Sequence, residues 1–228
     1  VTEIAQHSTD YGVVEGEPPE VMERNLRIAA RLWASATLFF FFAFLFAYFY
    51  LRTLNEHHLW KPKGVNVSQG WGLAVVLCVV ASAGLLWSGH LDQSADRRPA
   101  WRLKGLGALV LGLAAIGVQI AAWVEAGFGP TQGGYASVYF GWTGLYALFL
   151  LGTLYWIETC LAVSYRYRAH PMGAAQVEPG HASGDPYREA HDIENPVDLN
   201  TSELNALAFY WSVLAGVGVV TWIVLYLL

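Results

Sequence analysis

Apolar residues in this chain gather into five uninterrupted runs, at positions 32–51, 71–89, 105–124, 138–157 and 204–228. None of the runs contains Asp, Glu, Lys, Arg or His. About 20 helical residues rising ~1.5 Å each cross the ~30 Å hydrocarbon layer of a bilayer. A charge at mid-helix costs roughly 2.5–3.5 kcal/mol on insertion scales, so five clean runs predict five membrane crossings. The runs show no period-2 alternation, which argues against transmembrane strands. The fold class that follows is all-α, a five-helix transmembrane bundle. Its divisions are a polar acidic N-terminal arm at 1–30, four transmembrane helices with short loops at 31–168, a long polar cytoplasmic loop at 169–202, and a fifth transmembrane helix at 203–228.

Composition sharpens this picture. The 228 residues are 55% hydrophobic and 14% charged, against about 25% charged in ordinary soluble domains. The formal net charge of -5 leaves no basic footprint for nucleic acid. The arm VTEIAQHSTDYGVVEGEPPEVMERN has neither a positive start nor a short apolar core, and does not read as a signal peptide.

Orientation follows from the cations. With five crossings, Arg24, Arg27, Arg31, Arg97, Arg98, Arg102, Lys104, Arg166, Arg168 and Arg188 fall on one side. Only Arg52, Lys61 and Lys63 fall on the other. The positive-inside rule then puts the N-terminus in the cytoplasm and the C-terminus outside. Gly105, Gly107, Gly112 and Gly117 in the third run, with Gly216 and Gly218 in the last, would let helices approach closely.

Candidate chemistry is sparse. His7, His57, His58, His90, His170, His181 and His191 all lie outside the runs, whereas a membrane haem or copper centre draws histidines from within the bundle. No catalytic, cofactor-binding or metal residue is therefore expected on this chain. Cys78 and Cys160 sit in apolar surroundings without a paired metal motif and read as small buried thiols. Transporters and channels place ionisable groups at mid-membrane, and these runs lack them. Glu158, just past the fourth run, is the nearest exception. Two readings stay open for it: a buried pair with Arg31, or a carboxylate reaching the interface. No nucleophile elbow or phosphate loop occurs.

Several stretches resemble subunit III of the haem–copper oxidases, the cytochrome c oxidase type. YASVYFGWTG at 135–144 is similar to the family's Y-G-S-x-F-F-x-x-T-G, and Gln119 to its glutamine in the preceding helix. FFFFAFLFAYFY at 39–50 resembles its phenylalanine-rich helix. Trp60, Pro62 and Gly64 fit its W-x-P-x-G outer loop, and Tyr210 and Trp211 its Tyr-Trp pair. The resemblance runs from about Arg31 to the C-terminus, apart from the inner loop, and covers the last five helices of a family that usually has seven. Thr37, Ala122, Tyr146, Phe149, Ser212 and Ala215 stand where the family has carboxylates or histidines. Roles of those groups do not carry over.

The resemblance implies an accessory, non-redox subunit of a respiratory oxidase that reduces oxygen to water and pumps protons. Haem and copper would reside on partner subunits I and II, with phospholipid held against this chain. Lipid or subunit contact is expected at Phe39, Phe42, Phe46, Trp60, Gln119, Tyr139, Trp142, Tyr210 and Trp211. The implied location is a bacterial inner membrane. The rival readings are a subunit III-like companion of a nitric oxide reductase, a small transporter or channel, and an assembly scaffold docking a quinol-oxidising complex in a supercomplex.

Overall fold

The computed structural model describes residues 19–54, 60–62, 64–95, 97–169 and 199–228. All regular structure in these residues is helical. The helices are α1 (Pro19–Thr53), α2 (Gln69–Ser94), α3 (Arg98–Glu125), α4 (Gly134–Ala169) and α5 (Leu199–Trp222), with α5 ending in a short π-helical turn, Ile223–Leu227. Each contains a stretch long and apolar enough to cross a membrane.

Every helix begins before the run that predicted it, and α1 and α4 exceed theirs most. α1 begins at Pro19, inside the segment expected to be a polar arm, and reaches 35 residues, about 52 Å at the α-helical rise. The reason is local. Met, Glu, Arg, Leu and Ala dominate the stretch before the apolar run and all favour helix, and Arg27 pairs with Glu23 one turn earlier. Likewise α4 continues past the fourth run to Ala169. The histidines and acidic residues of the 170–198 segment, and His57, His58 and Glu56, lie outside the described residues.

Burial along α2 and α3 follows the helical repeat. On α2 the inner stripe is Gly72, Val75, Val76, Val79, Ser82, Ala83, Leu86 and Gly89. On α3 it is Trp101, Gly105, Ala108, Gly112, Ala115, Gln119 and Ala122. Both stripes are dominated by small residues, and these two consecutive helices pack most extensively on each other. In lipid no hydrophobic force drives helices together. Close backbone approach, dispersion and interhelical hydrogen bonds do so instead. Gly112 illustrates the approach: a Cβ there would overlap Leu154 of α4.

α5 is the central rod. It lies against α1, α2 and α4, and 56% of its apolar window is buried, against 22% for α1. α1 is thus the edge helix, held chiefly by α5 and α4. The α2–α3 corner is closed by charge. Asp92, almost covered, accepts Lys104 Nζ at 2.6 Å and Arg97 Nη2 at 2.9 Å, and its carbonyl accepts the Arg97 N–H at 2.8 Å. Arg102 is likewise tied to Ser164 of α4.

Candidate lipid- and subunit-facing surface

α1 sorts its rings by face. Ala34, Thr37, Phe41 and Tyr48 point inward at helical spacing, each at most 5% exposed. Phe39, Phe40, Phe42 and Phe46 point outward, at 57–75%. Phe49 and Tyr50 extend that outer band towards the end of the helix, with Tyr50 stacked on Phe46 at 5.7 Å between centroids. Phe41 reaches into the bundle against Trp142 (6.3 Å), Tyr146 (6.1 Å) and Phe149 (5.9 Å).

The division has a chemical basis. A phenyl ring needs no hydrogen-bond partner, whereas a Tyr or Trp within the hydrocarbon must find one. The interior supplies it to several of them, though Trp101 Nε1 is buried without a partner among the described residues. Trp211 Nε1 donates to Ser82 Oγ at 3.0 Å, and that hydroxyl donates to the Ala108 carbonyl at 2.7 Å, so one serine joins α2, α3 and α5. Trp142 Nε1 donates to Thr221 Oγ1 at 2.8 Å, and the Tyr210 and Thr37 hydroxyls lie 2.9 Å apart. Trp123 Nε1 donates to Thr143 Oγ1 at 2.9 Å. Near the chain's end, the Tyr135 hydroxyl donates to the Leu225 carbonyl at 2.6 Å and Gln69 Nε2 to the Tyr226 carbonyl at 3.1 Å. Both acceptors belong to the π-helical turn, in which an i→i+5 ladder replaces the α pattern.

The nine expected contact residues therefore divide. Phe39, Phe42 and Phe46 lie on the outer surface. Trp60, Gln119, Tyr139, Trp142, Tyr210 and Trp211, expected as lipid or subunit contacts, are all buried within the chain itself. Trp60 packs edge-on against Tyr48 (5.1 Å) and Tyr135 (5.8 Å), and its carbonyl accepts the Tyr135 N–H at 2.9 Å. The family motif thus contributes internal fasteners, because its rings carry N–H or O–H groups that have to be paired.

The possible Arg31–Glu158 pair is also corrected. Both side chains are exposed, and no ion pair between them occurs among the described residues. Glu158 follows the buried Ile157 and precedes the buried Cys160, so the helical repeat turns it away from the bundle. Glu203, by contrast, meets a partner on α4: its Oε1 accepts Trp156 Nε1 at 2.9 Å.

Two grooves flank α1. One, of about 290 Å³, runs between the Leu38, Phe41, Phe42, Leu45 stripe and Val213, Gly216, Val217, Val220 of α5, with Trp142 at its base. The other, of about 470 Å³, is bounded by Ala29 and Trp33 of α1, Leu148, Phe149, Gly152, Thr153 and Trp156 of α4, and Tyr210. Trp142 and Tyr210, though covered, thus still form groove walls. Sequence reading missed Trp33 and Trp156 as lining residues. Their position near the end of an apolar run was the available signal, since such belts gather tryptophan. Among the described residues, no group of three or more His, Cys, Asp and Glu side chains is placed to hold a metal ion.

Against known proteins, residues 5–177 match the family model described as cytochrome c oxidase subunit III. The match includes the N-terminal segment and stops before α5, so Tyr210 and Trp211 fall outside it, in contrast to a resemblance expected from Arg31 to the end. The chain is similar to cytochrome c oxidase subunit 3 of Prototheca wickerhamii, 28% identical over 174 residues, covering 71% of this chain and 65% of that protein. It is 27% identical to that of Marchantia polymorpha over 150 residues, 63% of this chain and 56% of the relative. To that of Xenopus laevis it is 25% identical over 163 residues, 68% and 62% respectively. The chain thus spans less than two thirds of the length of each of these relatives.

Proposed function

We propose, because this chain belongs to the cytochrome c oxidase subunit III family, that it serves as an accessory, non-redox membrane subunit of a respiratory haem–copper oxidase. Oxygen reduction and proton pumping belong to its neighbours, subunits I and II, which carry the haems and copper. This chain stabilises the catalytic subunit and organises lipid around it. The observation that carries the reading is the outer face of α1. Phe39, Phe42 and Phe46 present bare rings with no polar atom to satisfy, and an apolar groove lies on either side of the same helix. A helix only 22% buried over its apolar window is a poor centre for chemistry and a good wall for lipid tails or a partner helix.

Phospholipid acyl chains suit both grooves, since dispersion against Phe, Leu and Val costs no desolvation of polar groups. The strong excess of Lys and Arg on one side supports an N-terminus in the cytoplasm and a C-terminus outside, in a bacterial inner membrane. Purification of the native complex through this chain tests the whole reading. A haem spectrum, with multi-helix subunits I and II in the preparation, is the expected result. A monodisperse, haem-free chain with a substrate flux of its own in proteoliposomes would replace it with the transporter reading.

A further inference from the structure

We infer that Gln119, Tyr146, Thr221 and Tyr226 form a binding site for a single water molecule at a junction of α2, α3, α4 and α5. The four residues line one small cavity together with Gly72 and Gly218, with room for a water's centre over about 10 Å³. That is roughly the volume one water requires, provided that two to four polar groups face it.

Counting hydrogens makes the case. The Tyr146 hydroxyl donates to the Leu214 carbonyl at 3.1 Å, and the Tyr226 hydroxyl to the Tyr139 oxygen at 3.3 Å. The Thr221 hydroxyl donates to the Val217 carbonyl at 2.7 Å. A hydroxyl has one hydrogen, so around this cavity all three oxygens can now only accept. Gln119 Nε2 can only donate. Its residue is 3% exposed, and among the described residues no group meets the atom in hydrogen-bond geometry, although the phenols of Tyr139 and Tyr226 stand close enough to feel it. Thr221 Oγ1 already accepts Trp142 Nε1 and keeps one lone pair free, so a water that accepts from the amide and donates to two of the oxygens gives Gln119 Nε2 the acceptor it lacks. An apolar filler would leave the amide N–H stranded in a low-dielectric interior.

Two glycines shape the place. A Cβ on Gly72 would stand 2.7 Å from Tyr226 Cζ, and one on Gly218 would overlap the Tyr146 hydroxyl. Only hydrogen at these positions lets both phenol heads converge on the cavity. The site also has structural use. Extensive packing joins α3 to α2 and α4 but not to α5, so the water would tie Gln119 of α3 to the central rod.

The test is solid-state NMR on the protein in lipid bilayers, with glutamine labelled at the side-chain nitrogen. Rapid transfer of magnetisation from water to Gln119 Nε2 is expected, and the signal is identified by its loss in Gln119→Leu. A high-resolution map should also show a density peak within hydrogen-bond reach of Nε2 and two of the three oxygens. A dry Nε2, or a direct amide-to-phenol bond with no peak, overturns the inference. The wild-type measurements stand even where the variant fails to fold.

Discussion

Ser82 is the sharpest place to test how this bundle is held. Its hydroxyl accepts from Trp211 Nε1 and donates to the Ala108 carbonyl, with all three groups fully buried. Ser82→Ala removes two interhelical hydrogen bonds at once. Such bonds in membrane proteins average about 0.6 kcal/mol, with a maximum near 1.7. Two of them amount to about 1.2 kcal/mol. The indole N–H is then left unsatisfied in the core, which costs about 1–3 kcal/mol when no partner is found. Both figures estimate the same lost bonding and are not summed, so the expected loss is about 1–3 kcal/mol, while the Ala108 carbonyl keeps its helical partner and adds little. Ser88→Ala is the control, because that hydroxyl bonds only to Leu85 of its own helix. Its loss should stay within about 0.5 kcal/mol. Reversible unfolding in mixed micelles measures both, and a cycle with Trp211→Phe isolates the pair. Trp211→Phe alone also opens a cavity against Gly112, since the indole edge would meet a Cβ there at 3.3 Å. The coupling, not the single loss, is thus the informative quantity, and about 0.6–1.7 kcal/mol is expected. Strictly additive single mutants, or a Ser82→Ala protein no weaker than Ser88→Ala, would refute the claim that neutral hydrogen bonds fasten these helices.

Three further outcomes follow from the same geometry. Phe39→Ala and Phe46→Ala should leave the chain's own unfolding within about 0.5 kcal/mol, because the rings are exposed, while lowering the yield of assembled oxidase; undiminished yield would remove α1's face from the interface. Gly216→Leu projects into open groove space, with nothing within 4 Å of the added Cβ. It should preserve helix content and reduce phosphorus retained per complex, and unchanged lipid content would count against the groove as an acyl site. Arg31→Ala and Glu158→Ala should each shift stability by no more than about 0.5 kcal/mol and combine additively. A measured coupling above about 1 kcal/mol would restore the ion pair that the structure does not contain.

The five membrane crossings were written in the chain, because insertion into hydrocarbon depends on composition over some 20 residues and hardly on neighbours. Uncharged runs alone located all five helices. None of these runs holds an Asp, Glu, Lys, Arg or His. Motif likeness in the sequence likewise points to the family. The inner and outer faces were not legible in the same way. In water a buried face is apolar and an exposed one polar, so periodicity reveals both. In lipid both faces are apolar, and the pattern loses contrast. Phe39 and Phe41 are chemically identical in sequence, yet one is 75% exposed and the other 5%.

Tertiary structure decided the rest through hydrogen-bond demand. Trp142, Tyr210 and Trp211 turn inward because Thr221, Thr37 and Ser82 wait there on other helices. No local rule names such partners when they lie 79 to 173 positions away. Glu158 went the other way, since a one-residue step from the buried Ile157 carries a side chain about 100° around a helix. Which residues can enter the bilayer is a property of each segment. Which ring faces lipid and which fastens two helices depends on where the other four rods stand, and only their packing fixes that.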